Sequence, residues 1–507
     1  MRNVINIVNF IRGCDARADF DLKLPICKQI KLAEEYDMPM TFLYQYDALI
    51  KPDFTELLKG KEGFEIGIWL ESSMWLVEKV GLIWRGREGY EWDWHSNVDM
   101  TVGYTIDERK LLIDEIMRKF KEIFGYYPKT AGSWALDAYS VNYMKEEYGI
   151  EAALICKEQW GTDGYSLWGG YYSGAYFPCK NNVFSPAQSD NEQINVPIFR
   201  MLGSDPIDQY LNGIGTNWQN VETMEPAYFT SGANENWVKW YLGEMFGEKN
   251  LGINYCQAGQ ENSFGWDAVK DGYTMQMRLF DEKRKSGEIE FEVVSETGRK
   301  FKDEYKTTPV TTVDAHKESS GTLWFNSKYY RGNLYFADGK IMMRDMFIFN
   351  ENYKERYFDK VEDSANLYFD NLPLIDCFRW SNENELGGAY FKYNEKEITA
   401  LEDFKTEIID NKTVIAKIDT EIGMISVCFK EDSVIFDFPV VGCSLNAISF
   451  NDKTSVKSFQ NNELMCSYEG FDYNVKIENG DCMIDDNGYT IVSRDKSFEI
   501  VLHTDKS

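Results

Sequence analysis

Thr130–Gly170 reads TAGSWALDAYSVNYMKEEYGIEAALICKEQWGTDGYSLWGG, and its pattern decides the fold. A short apolar strand, Ala131–Trp134, is followed closely by Asp137. Val141, Tyr143, Met144 and Tyr148 recur near helical spacing, and Gly149 stops the helix they predict. A second strand, Ala152–Cys156, empties into a loop holding Lys157, Glu158, Gln159, Trp160 and Asp163. The stretch is a βαβ unit. Parallel sheets and barrels place ligands at the carboxyl edge of their strands, where both of these strands drop polar and aromatic residues.

The same grammar extends in both directions. Upstream, Val4–Phe10 ends in Arg12 and Asp15, Pro39–Gln45 delivers Gln45, and Glu65–Leu70 carries Trp69 into Glu71. A long loop from Ser72 to Tyr104 follows, crowded with tryptophans that include Trp94, and with His95. Loops of that length inside a compact domain are usually functional. Downstream, Val196–Met201 leads to Arg200 and Asp205, and Leu251–Cys256 leads to Gln260 and Glu261. Helices are predicted over 24–36, over 105–124 with Thr105 as its cap, and over 234–246 and 269–285. Seven strands alternating with helices or long crossovers predict an α/β parallel sheet covered on both faces, a (β/α)7 barrel over residues 1–302.

After about Thr307 the texture changes. Short alternating segments such as Leu323–Phe325, Ile341–Phe349, Thr413–Ile418 and Met424–Phe429 are separated by Asn, Asp, Gly and Lys clusters. They predict a C-terminal antiparallel β-sandwich over 303–507, with Lys302–Glu318 as the linker.

Composition narrows the function. A formal net charge of −29 argues against nucleic acid or an anionic membrane as partner, since both require a basic face. No run of about 18 apolar residues is present to span a bilayer. The apolar run near the amino terminus is interrupted too soon, by Arg12 and Asp15, for an export signal. Ten scattered cysteines without CxxC pairs read as reduced thiols of a cytoplasmic protein. Fourteen Trp and 31 Tyr can fill a large core, which is the reading for most of them, and surplus rings in loops also stack on sugars. Only three histidines occur, His95, His316 and His503. A homo-oligomer is compatible with the sequence.

This layout resembles the glycoside hydrolase/deacetylase superfamily. Its members include NodB-type polysaccharide deacetylases and α-mannosidase-like and α-amylase-like glycosidases on a distorted, TIM-like barrel. Pro39-Met-Thr-Phe-Leu is similar to the deacetylase second strand, and Glu65-Ile-Gly-Ile to the third. The deacetylases hold a metal through an Asp on the first strand, matched by Asp15, and a His pair on the third. Here that third strand reads Ile66-Gly-Ile-Trp-Leu-Glu-Ser, without histidine. The resemblance therefore implies the metal-free branch: a glycosidase with one carboxylate after the fourth strand and one after the seventh. By position these are Asp137 and Glu261, with Glu71 and Asp15 as further catalytic candidates. Either carboxylate can serve as nucleophile if the other is kept protonated.

The expected function is hydrolysis of a glycoside or imported oligosaccharide, through an α-linkage, without cofactor or catalytic metal. Trp69, Trp94, Trp134 and Trp160 are candidate sugar platforms. Arg12, Gln45, His95, Lys157, Gln159, Asp163, Arg200, Asp205 and Gln260 are candidate substrate contacts. A carbohydrate deacetylase with an atypical metal site and a non-catalytic sugar-binding barrel are the alternatives.

Overall fold

The computed structural model describes residues 2–15, 17–208, 222–382, 386–449 and 454–503. Seven parallel strands make up most of a nine-stranded sheet. They are strand one Arg2–Ile11, two Met40–Tyr44, three Phe64–Trp69, four Thr130–Gly132, five Ala152–Ile155, six Ile198–Arg200 and seven Ile253–Ala258. Their order is seven-one-two-three-four-five-six. Glu290–Phe291 joins the sheet in parallel beside strand one, and Ala175–Tyr176 joins it at its edge. Registers such as Ile5↔Cys256, Val8↔Thr41, Leu43↔Gly67 and Leu154↔Phe199 fix the ladder. Strands buried on both faces are mostly apolar, as strand one is from Val4 to Ile11, and its two buried asparagines are hydrogen-bonded, Asn6 donating to Glu292 O and Asn9 Oδ1 accepting from Gln260 N.

The sheet curls until it is nearly closed. Strand six pairs on its outer side with a short antiparallel segment, Ala175–Tyr176. Side chains bridge the seam to strand seven: Leu202 N donates to Gln257 Oε1 at 2.7 Å, and the Phe199 and Tyr255 rings lie 4.8 Å apart.

The predicted crossovers are present. The helix Ile106–Phe124 begins with a capping box between Thr105 and Glu108 and ends at Gly125 in the left-handed region. Ala138–Tyr148 is capped by Asp137 and closed by Gly149. Lys23–Tyr36, Glu235–Met245 and Trp266–Ser286 complete the set. The long loop after strand three contains short helices, Met74–Lys79 and Ser96–Asp99. The segment after strand five is a hairpin, Gln159–Thr162 against Tyr165–Trp168. Its two turn residues, Asp163 and Gly164, have φ of 53° and 83°, as a two-residue type I′ turn requires.

Beyond the barrel, one ten-stranded and one eight-stranded sheet follow, with antiparallel pairing throughout. Leu323, Phe325 and Leu334 of the first share one buried cluster with Val414, Ile418, Val427 and Phe436 of the second. The expected linker, Lys302–Glu318, is corrected. A helix, Val294–Glu304, enters it, and Thr311–His316 within it is an edge strand of the larger sheet. Its polar residues hid the strand from a hydrophobic pattern, because they are buried against partners: Thr312 Oγ1 accepts from Leu251 N, and Asp314 meets His316. The later strands also reach back. Leu367–Asp370 pairs in parallel with Tyr165–Trp168 of the hairpin.

His316 holds this junction. Its ring nitrogens lie 2.8 Å from Asp314 and 2.6 Å from Asp403. Burial alone would lower its pKa; the hydrogen bonds to the two carboxylates outweigh that and push it up to about 10. The folded state thus holds this proton more tightly than the unfolded chain. The stabilisation is fully present below the unfolded pKa and is lost as pH rises through about 10. Accordingly, thermal melts of His316→Ala should show a larger drop in Tm at pH 7 than near pH 10.

Candidate active site

At the carboxyl ends of the barrel strands lies a cleft of about 460 Å³. Arg12 from the end of strand one, Trp134 after strand four and Glu261 after strand seven line it. Trp92, Trp94 and Asp99 from the long loop, Thr162, Asp163 and Tyr165 from the hairpin, and Arg17, Tyr228, Ser263 and Phe264 complete the wall.

Arg12 is the electrostatic centre. Only 2% exposed, it places Nη1 2.5 Å from Glu261 Oε2 and Nη2 3.1 Å from Glu71 Oε2. Its guanidinium lies 4.1 Å from the Trp92 ring centroid. The local chain makes this possible. Asn262 clamps the end of strand one, accepting from Arg12 N at 2.9 Å and donating to Arg12 O at 2.8 Å. Gly259 lets strand seven's exit cross strand one: it has φ 112°, and a Cβ there would stand 2.1 Å from Val8 O.

One guanidinium serves two carboxylates, and a third stands beside them. Asp99 is 1% exposed, and its Oδ1 has no hydrogen-bond partner. Burial, reinforced by the charge of Glu71, holds its carboxyl well above the usual carboxylate range. Burial also raises Glu71, against the pull of Arg12. The geometry thus sets a carboxylate bound to a guanidinium, Glu261, in the same cleft as a carboxyl that burial makes a weaker acid than usual, Asp99. Behind them Glu225 accepts from Gln260 Nε2 at 3.1 Å, and burial pushes its pKa up to about 7.

The sequence-derived candidates separate on this geometry. Arg12, Trp94, Trp134, Asp163 and Glu261 line the cleft, and Glu71 joins it through Arg12. Trp134 lies 6.4 Å from Tyr165 at an interplanar angle of 28°, an aromatic wall for a sugar face. The faces of Trp94 are approached by Arg87, at 3.4 Å, and Arg17, at 5.2 Å. Trp69 is wholly buried and stacks on Phe10 at 4.1 Å. Trp160 packs on Trp168, Tyr368 and Phe378. Asp15 accepts from Arg17 Nη2 at 2.6 Å, and His95 Nδ1 lies 2.8 Å from Asp93. Gln45 is wholly buried, with neither amide atom hydrogen-bonded. Gln159 accepts from Cys156 Sγ, and Asp205 holds Trp237 Nε1 and Lys317 Nζ. Lys157 and Arg200 line a separate small cavity.

Asp137 does not line the cleft. It is wholly buried, accepts from Ser140 N, Ser140 Oγ and Thr101 Oγ1, and lies 3.0 Å from Arg109 Nη1. Its carboxylate is committed to capping a helix and neutralising a buried arginine. Asp137→Ala should therefore destabilise the protein by about 3–5 kcal/mol, by leaving Arg109 unpaired, and change kcat of the folded fraction only a few-fold. Denaturant titration together with specific activity per folded molecule checks this.

Sequence reasoning missed Asp99, Arg17, Tyr165, Tyr228 and Glu225. Asp99 carried no local signal beyond its place in the tryptophan-rich loop.

The donor set does not fit the divalent metal of the deacetylases. The first-strand carboxylate, Asp15, is held by Arg17, and strand three ends in Glu71, held by Arg12. Among the described residues, no group of three or more His, Cys, Asp or Glu side chains is arranged to hold a metal ion.

No protein-family model matches this chain, and no curated protein matches it. Among solved structures, its fold is similar to that of a candidate glycoside hydrolase/deacetylase from Parabacteroides distasonis. The TM-score is 0.55 at 15% identity, over 73% of this chain and 90% of that one. A candidate polysaccharide deacetylase from Mycobacterium smegmatis aligns with a TM-score of 0.38 at 10% identity, over 60% of this chain and 92% of that one. That score is too low to establish a shared fold. The resemblance read from the sequence is thus met in the fold, which this chain shares with the Parabacteroides glycoside hydrolase/deacetylase.

Proposed function

We propose that this protein is a carbohydrate-active hydrolase that cleaves a glycosidic bond with Glu261 and Asp99. The observation that supports it is their pairing in one aromatic-walled cleft, one carboxylate bound to Arg12 and one carboxyl whose pKa burial raises. Asp99 donates its proton to the glycosidic oxygen as the bond breaks. Glu261 then attacks the anomeric carbon, or activates a water that does. Arg12 holds Glu261 in place through the 2.5 Å contact of Nη1 with Oε2. Trp134 and Tyr165 position the sugar ring. Asp99 thereby takes the role that position in the chain gave to Asp137. An α-linkage is what the resemblance implies.

The test is turnover of a panel of aryl glycosides and oligosaccharides, with and without EDTA. Cleavage that survives EDTA is expected, and the anomer first released separates retention from inversion. Release of acetate that EDTA abolishes would replace this reading with a deacetylase. Glycan binding without turnover would replace it with a sugar-binding barrel.

A further inference from the structure

The loop that delivers Asp99 is gripped from outside the barrel. Asp99 closes the helix Ser96–Asp99, and its Oδ1 has no hydrogen-bond partner, so the backbone fixes where its carboxyl stands. Before Asp99, Ser96 Oγ donates to Ala365 O at 3.0 Å and Asn97 Nδ2 to Asp363 O at 3.3 Å. After it, Val102 O accepts from Glu362 N at 2.8 Å. The barrel itself adds Ser72 N, which donates to Asp99 O at 2.6 Å, and Asp137, which accepts from Thr101 Oγ1.

The same segment braces the hairpin wall of the cleft. Leu367 N donates to Gly164 O at 3.0 Å, and a Cβ on Gly164 would stand 2.5 Å from Ala365 O. Leu367–Asp370 makes the hairpin a three-stranded sheet, where two strands alone are marginal.

Glu362 gives this segment its shape. It is 9% exposed and does not line the cleft. Its Oε1 accepts from Ser364 N and Ser364 Oγ, each at 2.8 Å, and Ser364 Oγ accepts from Asn366 N at 3.2 Å. The Tyr357 hydroxyl hydrogen-bonds Glu362 and accepts from Tyr368 N at 2.8 Å. We infer that Glu362 is a positioning residue for the reaction: by folding the turn 362–366 it presents the groups that hold both sides of Asp99 at the cleft. The inference rests on the reading of Asp99 as the acid.

Glu362→Ala should lower kcat on a glycoside with a poor leaving group about ten- to a hundredfold, with a smaller rise in KM. An acidic phenol as leaving group should restore most of the loss in kcat. Glu362→Gln, whose amide oxygen still accepts from Ser364, should stay near wild type. Ser364→Ala alters only an exposed side chain and should show the same pattern more weakly, which separates positioning from a folding defect. Hydrogen exchange on the full chain should quicken across residues 96–103 in both alanine variants, with the helix Ile106–Phe124 unchanged. Unchanged exchange across 96–103, an unchanged kcat, or a kcat loss of equal size on both leaving groups would overturn the inference. Failure of the acid assignment shows separately, as Asp99→Asn without recovery on the acidic phenol, and the exchange result does not depend on catalysis.

Discussion

Glu261→Gln should lower kcat by about a thousandfold or more, and Asp99→Asn by about a hundred- to ten-thousandfold, with little change in binding of the intact substrate. The two losses should differ in kind. Asp99 works by protonating the departing oxygen. A glycoside with an acidic phenol as leaving group needs no such proton, so it should restore much of the activity of Asp99→Asn. It should do nothing for Glu261→Gln, whose missing step is attack at the anomeric carbon. The pH profile separates them again. Asp99 is useful only while protonated, and its pKa is raised by burial and by the charge of Glu71. Wild-type activity should therefore fall as pH rises through that raised pKa. The residual activity of Asp99→Asn should lack this alkaline fall. Steady-state kinetics on two leaving groups across pH decides the matter. Equal, modest losses in both variants on both substrates would sink the assignment.

Arg12→Met should cost about 3–5 kcal/mol of stability, because it leaves two buried carboxylates without their cation. The sign of its pH dependence follows from the charges. Burial and the charge of Glu261 already raise the pKa of Glu71 against the pull of Arg12, so without Arg12 the folded state binds a proton at Glu71 more readily still than the unfolded chain does. Low pH then favours the folded variant, so the deficit in denaturant titrations should be smaller at pH 5 than at pH 8. Arg12→Lys should fall between wild type and Arg12→Met. It keeps the charge, but an ammonium cannot reproduce the planar fork that reaches Glu261 with Nη1 and Glu71 with Nη2. A deficit independent of pH would mean that Arg12 serves packing on Trp92 rather than the carboxylates.

Much of the barrel was legible in the chain. A strand covered on both faces is mostly apolar, as Ala152–Cys156 is throughout and Val4–Phe10 is apart from Asn6 and Asn9. Helix ends were equally readable, because a cap such as Thr105 or Asp137 and a left-handed stop such as Gly149 act on the nearest turn. The edge strand Thr311–His316 was not readable. Its buried Thr312 and Asp314 are satisfied by Leu251 N and Thr406 Oγ1, both distant in sequence.

The same limit governs the site. Asp137 and Asp99 are both buried aspartates near a helix end, and the local sequence favoured the first. Tertiary structure reverses the choice: Asp137 meets Arg109 and three hydroxyl or amide donors, whereas Asp99 reaches the cleft with an oxygen unpartnered. What the sequence by itself determined is the order of strands and helices and the edge at which polar residues collect, since both follow from local burial and periodicity. Which carboxylates share a cation was decided only by the closed fold. Arg12 lies 59 residues from Glu71 and 249 from Glu261, and a proton's affinity depends on burial and charge at a few ångströms, not on distance along the chain.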